Sequence, residues 1–201
     1  RCSSSFYDVE ITMGSFSLIS HHNMNVANDF TVTTGTYSDG SNGFTITRNV
    51  SVASGATLNL SNSSTQTKTL GSLTIASGAT VRACRGTTTL NGSLANSGTF
   101  THNDGTVTFS TAGAKTITGS STTAFYNLIL DQVGSNLTVS QNMNIERDLT
   151  VTSGMLRPAP DTKGSELTIT FGTTSYASQL ELDSYGIGFE SGGNNTHACA
   201  L

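Results

Sequence analysis

The sequence predicts an all-β chain folded as a single parallel β-helix, a solenoid with coils of about 21 residues. Residues 6–35 return as residues 125–154, 119 positions later and without a gap, and both copies keep the Phe-Tyr, Asn-Met-Asn and Thr-Val-Thr motifs. A shorter run ending in Ser-Gly or Thr-Gly also recurs, with its first apolar residues separated by 20, 23 and 21 positions. Those residues are Phe30, Val50, Leu73 and Leu94. A fixed period near 20 is typical of stacked solenoid coils.

Composition agrees with this fold. Hydrophobic residues make up 35% of the chain and charged residues only 11%, and the apolar residues alternate with polar ones at the period of a strand. Both prolines, Pro158 and Pro160, lie beyond the second copy, so earlier strands can donate to a ladder. No segment shows the periodicity of an amphipathic helix. A two-sheet β-sandwich or jelly roll is the alternative fold. It does not explain why a repeat of about 21 residues lies within a duplication of 119 residues.

In chain order, the first coil occupies residues 1–28, and strands follow over 29–52, 56–60, 68–75, 79–83, 87–90, 99–102, 106–109 and 115–118. After Gly154 the register loosens. Leu167-Thr168-Ile169-Thr170 aligns with Phe44-Thr45-Ile46-Thr47, which makes the second loop four residues longer. Residues 1–171 are therefore assigned to the β-helix, and the divergent segment 172–201 to two terminal strands that act as a cap or as a donor segment.

Alternation predicts which side chains point into the solenoid. In the first coil the inward candidates are Phe6, Val9, Ile11, Phe16, Leu18 and Val26. In later coils they are Phe30, Val32, Ile46, Val50, Val52, Leu73, Ile75, Leu94, Val107, Ile117, Leu128, Leu149, Val151 and Ile169.

The motifs FYNLIL, NLTV and DLTVTSG of the second copy resemble the repeats of large bacterial surface and adhesin-type proteins, which are built as right-handed parallel β-helices. The resemblance covers most of residues 6–156, and the segment 172–201 departs from it. It implies a scaffold rather than a particular activity.

Charge and composition restrict the partners and the location. The net charge is −4 and the nine basic residues are scattered, whereas nucleic-acid binding needs a clustered cationic surface. No apolar run approaches the length of a transmembrane helix. A chain rich in Ser, Thr, Asn and Gly but poor in Lys indicates an extracellular or cell-surface protein. The start at Arg1-Cys2 is interpreted as that of a processed form or an excerpt.

Two kinds of covalent site are candidates. The chain has three cysteines, an odd number, which in a secreted chain implies a free thiol or an intermolecular bond. Cys84 is interpreted as a small residue at a coil corner, and Cys2 and Cys199 lie near the two ends. Six Asn-x-Ser/Thr sequons are candidate glycosylation sites. They are Asn49, Asn59, Asn62, Asn91, Asn136 and Asn194.

No catalytic or metal site is predicted, and no cofactor is expected. Catalysis on polysaccharides needs converging carboxylates or a basic partner, but the acids are mostly single, and Glu10, Glu181 and Asp183 lack such a partner. Asp39 and Asp104 precede glycines and are interpreted as turn residues, as are Asp29 and Asp148 at equivalent corners. The histidines His21, His22, His102 and His197 are interpreted as exposed, and the loop 39–43 as a flexible turn rather than a calcium loop.

Threonine triplets such as Thr106-Val107-Thr108 are predicted to point both threonines outward and the central residue inward. Stacked threonines also raise the possibility of an ice-binding face. Because the triplets are expected on different strands of the coil, and the coil length varies, such a face is disfavoured.

The sequence therefore predicts a structural or adhesive surface protein that polymerises head to tail. The first copy begins at residue 6 with no coil before it, so its strand edge would accept a strand from a second copy. The segment 172–201 is the predicted donor, and a Cys2–Cys199 bond between subunits would lock the junction. The alternatives are an N-terminal cap formed by residues 1–12, or an excerpt of a longer solenoid. Glycans or another cell surface are further expected partners, and a polysaccharide-binding or polysaccharide-degrading protein is the alternative function.

Overall fold

The computed structural model describes residues 3–159 and 169–171, and in this part of the chain it shows a parallel β-solenoid with no helix. The predicted fold class is thereby confirmed. The strands are β1 Ser3–Phe6, β2 Val9–Ile19, β3 Asn23–Val26, β4 Phe30–Ser38, β5 Phe44–Val52, β6 Thr57–Asn59, β7 Thr67–Ile75, β8 Thr80–Arg82, β9 Thr87–Leu90, β10 Leu94–Asn96, β11 Thr99–Thr101, β12 Thr106–Ser110, β13 Lys115–Thr118, β14 Thr123–Val139, β15 Met143–Pro158 and β16 Ile169–Phe171.

Three faces run along the solenoid, and on each face equivalent residues of successive coils are paired in parallel register. Face A extends seven turns from Phe6 to Val151, which is about 21 residues a turn as the sequence predicts. Its inward column is Phe6, Val26, Ile46, Leu70, Leu90, Phe109, Leu130 and Val151.

Faces B and C complete each coil. The paired column of face B is Val9, Phe30, Val50, Leu73, Leu94, Ile117, Val139 and Pro158. Face C has two ladders, Leu18, Tyr37, Leu58, Val81 and Phe100, and then Phe125, Ile145 and Phe171. The rings of Phe100 and Phe125 join these ladders, with centroids 5.8 Å apart. Stacking of all three faces encloses one apolar core.

The core includes predicted inward residues of the later coils, together with further apolar residues such as Tyr37, Phe44 and Phe109. Every predicted inward residue from Phe30 to Val151 is buried. Aromatic rings fill the first coils, where Phe30 lies edge-on to Tyr37 at 5.0 Å and to Phe44 at 5.1 Å. Burying one such large apolar side chain stabilises the fold by roughly 1.5–3 kcal/mol. The solenoid is therefore held together along its axis, coil on coil.

Two sequence predictions about register are wrong. Phe16 was expected to point inward, but it is 72% exposed, because the ladder between β2 and β4 shifts register after Thr12 and Gly14 turns the chain with a φ of 60°. The second correction concerns the length of the loop in the segment after Gly154. Ile169 pairs with Met143 as Phe44 pairs with Met24, so Ile169, and not Leu167, is the equivalent of Phe44. The second loop is thus six residues longer, not four. Because a shift of two residues keeps the same side chains inward, alternation alone could not detect it.

The two copies of the duplicated segment use different faces. Phe6 lies on face A and Phe125 on face C, yet each pairs with the residue 20 positions later. Leu18 on face C and Leu137, which lies on face B beside Lys115, likewise each pair with the residue 19 positions later. At about 21 residues a turn, 119 residues are about five and two-thirds turns. The second copy is therefore rotated by one face about the solenoid axis while it keeps the same coil-to-coil pairing.

Candidate functional site

The N-terminal coil presents an apolar surface next to unpaired strand edges. Phe6 is 43% exposed, Tyr7 71% and Ile19 53%, and Leu18 is partly exposed as well. Within the described residues, β1 pairs only with β3, and β2 only with β4. Among the described residues, each of these strands therefore has one edge whose backbone N–H and C=O groups lack a ladder partner. Exposed strand edges template the pairing of a further strand.

A depression of about 340 Å³ opens at this end of the solenoid. Its walls include Phe6, Leu18, Ile19, Met24 and Tyr37, so it is mostly apolar. His21 and His22 also line it and are exposed, as predicted for this pair. Contiguous exposed apolar surface of this kind marks an interaction site more often than a random surface does.

The second copy shows what the same segment looks like when it is covered. Phe125 and Leu137, the equivalents of Phe6 and Leu18, are fully buried. The preceding coil covers them: Phe100 contacts the ring of Phe125, and β13 pairs with the strand that carries Leu137. The first copy therefore keeps the apolar pattern of a segment that is suited to a covering coil.

A buried ion pair lies further along the interior, below the corner between faces C and A. Lys68 belongs to a second inward column of face A, in which it pairs with Phe44 and Thr88. Its Nζ lies 3.0 Å from Oδ2 of Asp39. Both side chains are buried, and Nζ also donates to the backbone carbonyl oxygen of Asn42. Burial raises the pKa of the Asp39 carboxyl, and the Lys68 ammonium opposes that rise.

Polar groups surround this pair. The backbone N–H of Ser61 donates to the Asp39 carboxyl, and the N–H of Ser41 donates to its Oδ1 at 3.4 Å. Burial raises the pKa of Tyr37 to about 12. Burial also raises the pKa of the Cys84 thiol, which donates to the carbonyl oxygen of Gln66 at 3.4 Å.

The prediction for Asp39 was incomplete. Its side chain accepts a turn hydrogen bond from the N–H of Ser41, but the loop 39–43 is not a free turn, because the carboxylate of Asp39 is buried against Lys68. Sequence reasoning missed this partner, although a signal was present: in Thr67-Lys68-Thr69-Leu70 the lysine occupies the same inward phase as Leu70.

His102 was predicted to be exposed, but its side chain is half-buried and contacts other side chains. Its ring stacks on Tyr126 with centroids 5.6 Å apart, and its Nε2 lies 3.2 Å from Oε1 of Glu146. The guanidinium of Arg147 lies 5.7 Å from the centre of the Tyr126 ring. These side chains come from three successive coils, so the cluster links them across the corner between faces C and A.

The threonine triplets also differ from the prediction. Face A stacks three of them in register, Thr67/Thr69 on Thr87/Thr89 on Thr106/Thr108. Because Thr116-Ile117-Thr118 lies on face B, the triplets do occupy different strands as expected, but a stack of three on one face was not predicted. The array ends where Asn127 and Ile129 take the equivalent positions.

The remaining candidate residues are distributed over the surface. Asn49 and Asn62 are exposed, and Asn59, Asn91 and Asn136 are half-buried. Glu10 accepts a hydrogen bond from Thr33. Within residues 3–159 and 169–171, His, Cys, Asp and Glu form no group of three that could hold a metal ion. The candidates that lie outside the described residues are Cys2, Glu181, Asp183, Asn194, His197 and Cys199.

Neither a family model, nor a curated protein, nor a solved structure matches this chain. In the described part of the chain, no helix is long and apolar enough to cross a membrane.

Proposed function

We propose that this chain is a structural protein of the cell surface. Its copies assemble head to tail through the N-terminal coil. The single observation that carries the proposal is the contrast between the two copies: Phe125 is fully buried under a preceding coil, and its equivalent Phe6 is exposed. The motifs that resemble adhesin-type repeats support the surface location, and glycans or another cell surface are the proposed further partners.

The occupant of the N-terminal edge is a second copy of this chain. The covering that the segment 125–154 receives comes from a coil of this same fold, 99–118, which supplies both parallel strand edges and apolar side chains. A further copy offers surfaces of the same type. Because a head-to-tail contact does not close on itself, it generates filaments. The predicted donor segment 172–201 and the Cys2–Cys199 bond would lie at this junction.

Sedimentation velocity over a range of concentrations tests the assembly. The wild-type chain is expected to form large species as its concentration rises, and Ile19→Asp should remain monomeric because it places a charge on the apolar end. Val133→Asp is the matched control, since Val133 is 74% exposed but lies in the second copy. It should assemble like the wild type.

Two outcomes would contradict the proposal: a wild-type chain that stays monomeric at every concentration, or an Ile19→Asp variant that assembles normally. A chain that lacks residues 172–201 tests the donor role of this segment separately from assembly through the N-terminal edge. If it still assembles, the edge is confirmed as the contact and the donor role of that segment is wrong. A ladder on non-reducing electrophoresis that collapses with reductant reports the disulfide.

A further inference from the structure

The buried pair of Lys68 and Asp39 combines a nucleophile with an electrophile in a site that excludes water. The amine nitrogen lies 3.0 Å from one carboxyl oxygen, so Cγ is at most one C–O bond, about 1.2 Å, farther away. Both side chains are buried. Reacting groups held at near-contact distance gain the large rate advantage of an intramolecular reaction.

We propose that Lys68 and Asp39 form an intramolecular isopeptide bond, an amide between Nζ of the lysine and Cγ of the aspartate.

The reaction balances without any further reagent. One proton passes from the Lys68 ammonium to the Asp39 carboxylate, which converts the ion pair into an amine and a carboxylic acid. The nitrogen lone pair then attacks Cγ and forms the N–C bond. The C–O bond to the hydroxyl breaks, and the hydroxyl leaves with one proton from the nitrogen as a water molecule.

The surroundings favour each of these steps. Burial raises the pKa of the Asp39 carboxyl, which favours its protonated, electrophilic form. The backbone N–H groups of Ser61 and Ser41 both donate to the carboxyl group, where negative charge develops on oxygen in the tetrahedral intermediate. The carbonyl oxygen of Asn42 accepts from Nζ and holds the nitrogen beside the carboxyl.

The second inward lysine lacks this arrangement. Lys115 is also buried, but its Nζ donates to the backbone carbonyl oxygens of Thr111 and Gly113 at 2.8 and 3.2 Å. A carbonyl of the main chain is not an electrophile that an amine attacks under these conditions. Lys115 therefore serves as the matched control.

Intact mass measured on denatured, reduced protein tests the bond. The wild-type chain, purified folded, should be lighter than its sequence by one water molecule, and Lys115→Arg should show the same deficit. Lys68→Arg and Asp39→Ala should each have the full sequence mass. Asp39→Asn, if it reacts, should lose ammonia in place of water.

Peptide mapping of the wild type keeps the test independent of how the variants fold. Trypsin should fail to cleave after Lys68, and one branched peptide should join the segments that carry Lys68 and Asp39. A wild-type chain at full mass, with normal cleavage after Lys68, would show an ordinary ion pair and overturn the proposal. Succinimide formation at Asp39-Gly40 also loses water, but Lys68→Arg would keep that deficit, and this result too would overturn it.

Discussion

The two copies of the duplicated segment place the same sequence pattern in two surroundings. Residues 125–154 lie inside the solenoid with a coil on either side, whereas residues 6–35 have a coil on one side only among the described residues. Pairing registers agree between the copies, but burial does not. Local sequence therefore determines which residues pair, while the position along the axis determines how much each side chain stabilises the fold.

The largest expected difference between the copies is at their shared phenylalanine. Phe125→Ala should lower the free energy of unfolding by about 3–5 kcal/mol, because it leaves a cavity in a packed core. Phe6→Ala should cost about 1 kcal/mol or less, since that side chain is already partly in water. Urea unfolding at a concentration where the chain is monomeric measures both, and equal losses would contradict the comparison.

A second difference concerns alkaline stability. Burial raises the pKa of Tyr37 to about 12, while the equivalent residue of the second copy is Leu156. The unfolded chain releases the tyrosine proton near pH 10 but the folded chain does not. Stability should therefore be unaffected below pH 10 and fall by about 1.4 kcal/mol per unit as the pH rises toward 12.

Thermal unfolding at pH 9 and pH 11 measures that loss. Tyr37→Leu, which copies the second segment into the first, should remove this part of the pH dependence. If wild type and variant lose the same stability between the two pH values, Tyr37 is not the group responsible.

The smallest expected effect is at a buried amide. Gln132 is fully buried, and neither its Oε1 nor its Nε2 has a hydrogen-bond partner among the described residues. The first copy has the half-buried Met13 at the equivalent position. Gln132→Met should stabilise the fold by about 1 kcal/mol, a rise in Tm of about 2–4 °C.

Calorimetry measures this change, and Met13→Gln in the first copy is its counterpart, expected to have a smaller effect of opposite sign. A fall in Tm for Gln132→Met would show that the amide makes a bond that stabilises the corner.

Period and alternation were enough to predict the fold and part of the core. A repeat near 21 residues indicates a coil, and a central apolar residue between two threonines points inward, as Ile46 and Val107 do. Both signals are local and survive substitution of one apolar residue by another. The bulge that exposes Phe16 has no such signal, because a register shift depends on how the neighbouring coil is paired.

The buried ion pair could be half predicted. The inward phase of Lys68 is visible in the sequence, but its partner is not, since Asp39 is 29 positions away and enters the interior from a loop. The rotation between the copies could also be inferred from their spacing, because 119 residues are not a whole multiple of the coil length. An alignment of the two copies alone does not show on which face each copy lies.

That rotation bears on how such a chain can grow. The two copies keep the same coil-to-coil pairing on different faces, so a duplication need not span whole turns of the solenoid. An insertion of about seven residues, a third of a coil of about 21, would move the following segment to the next face. Chains of this type are therefore expected to lengthen in steps shorter than a whole turn.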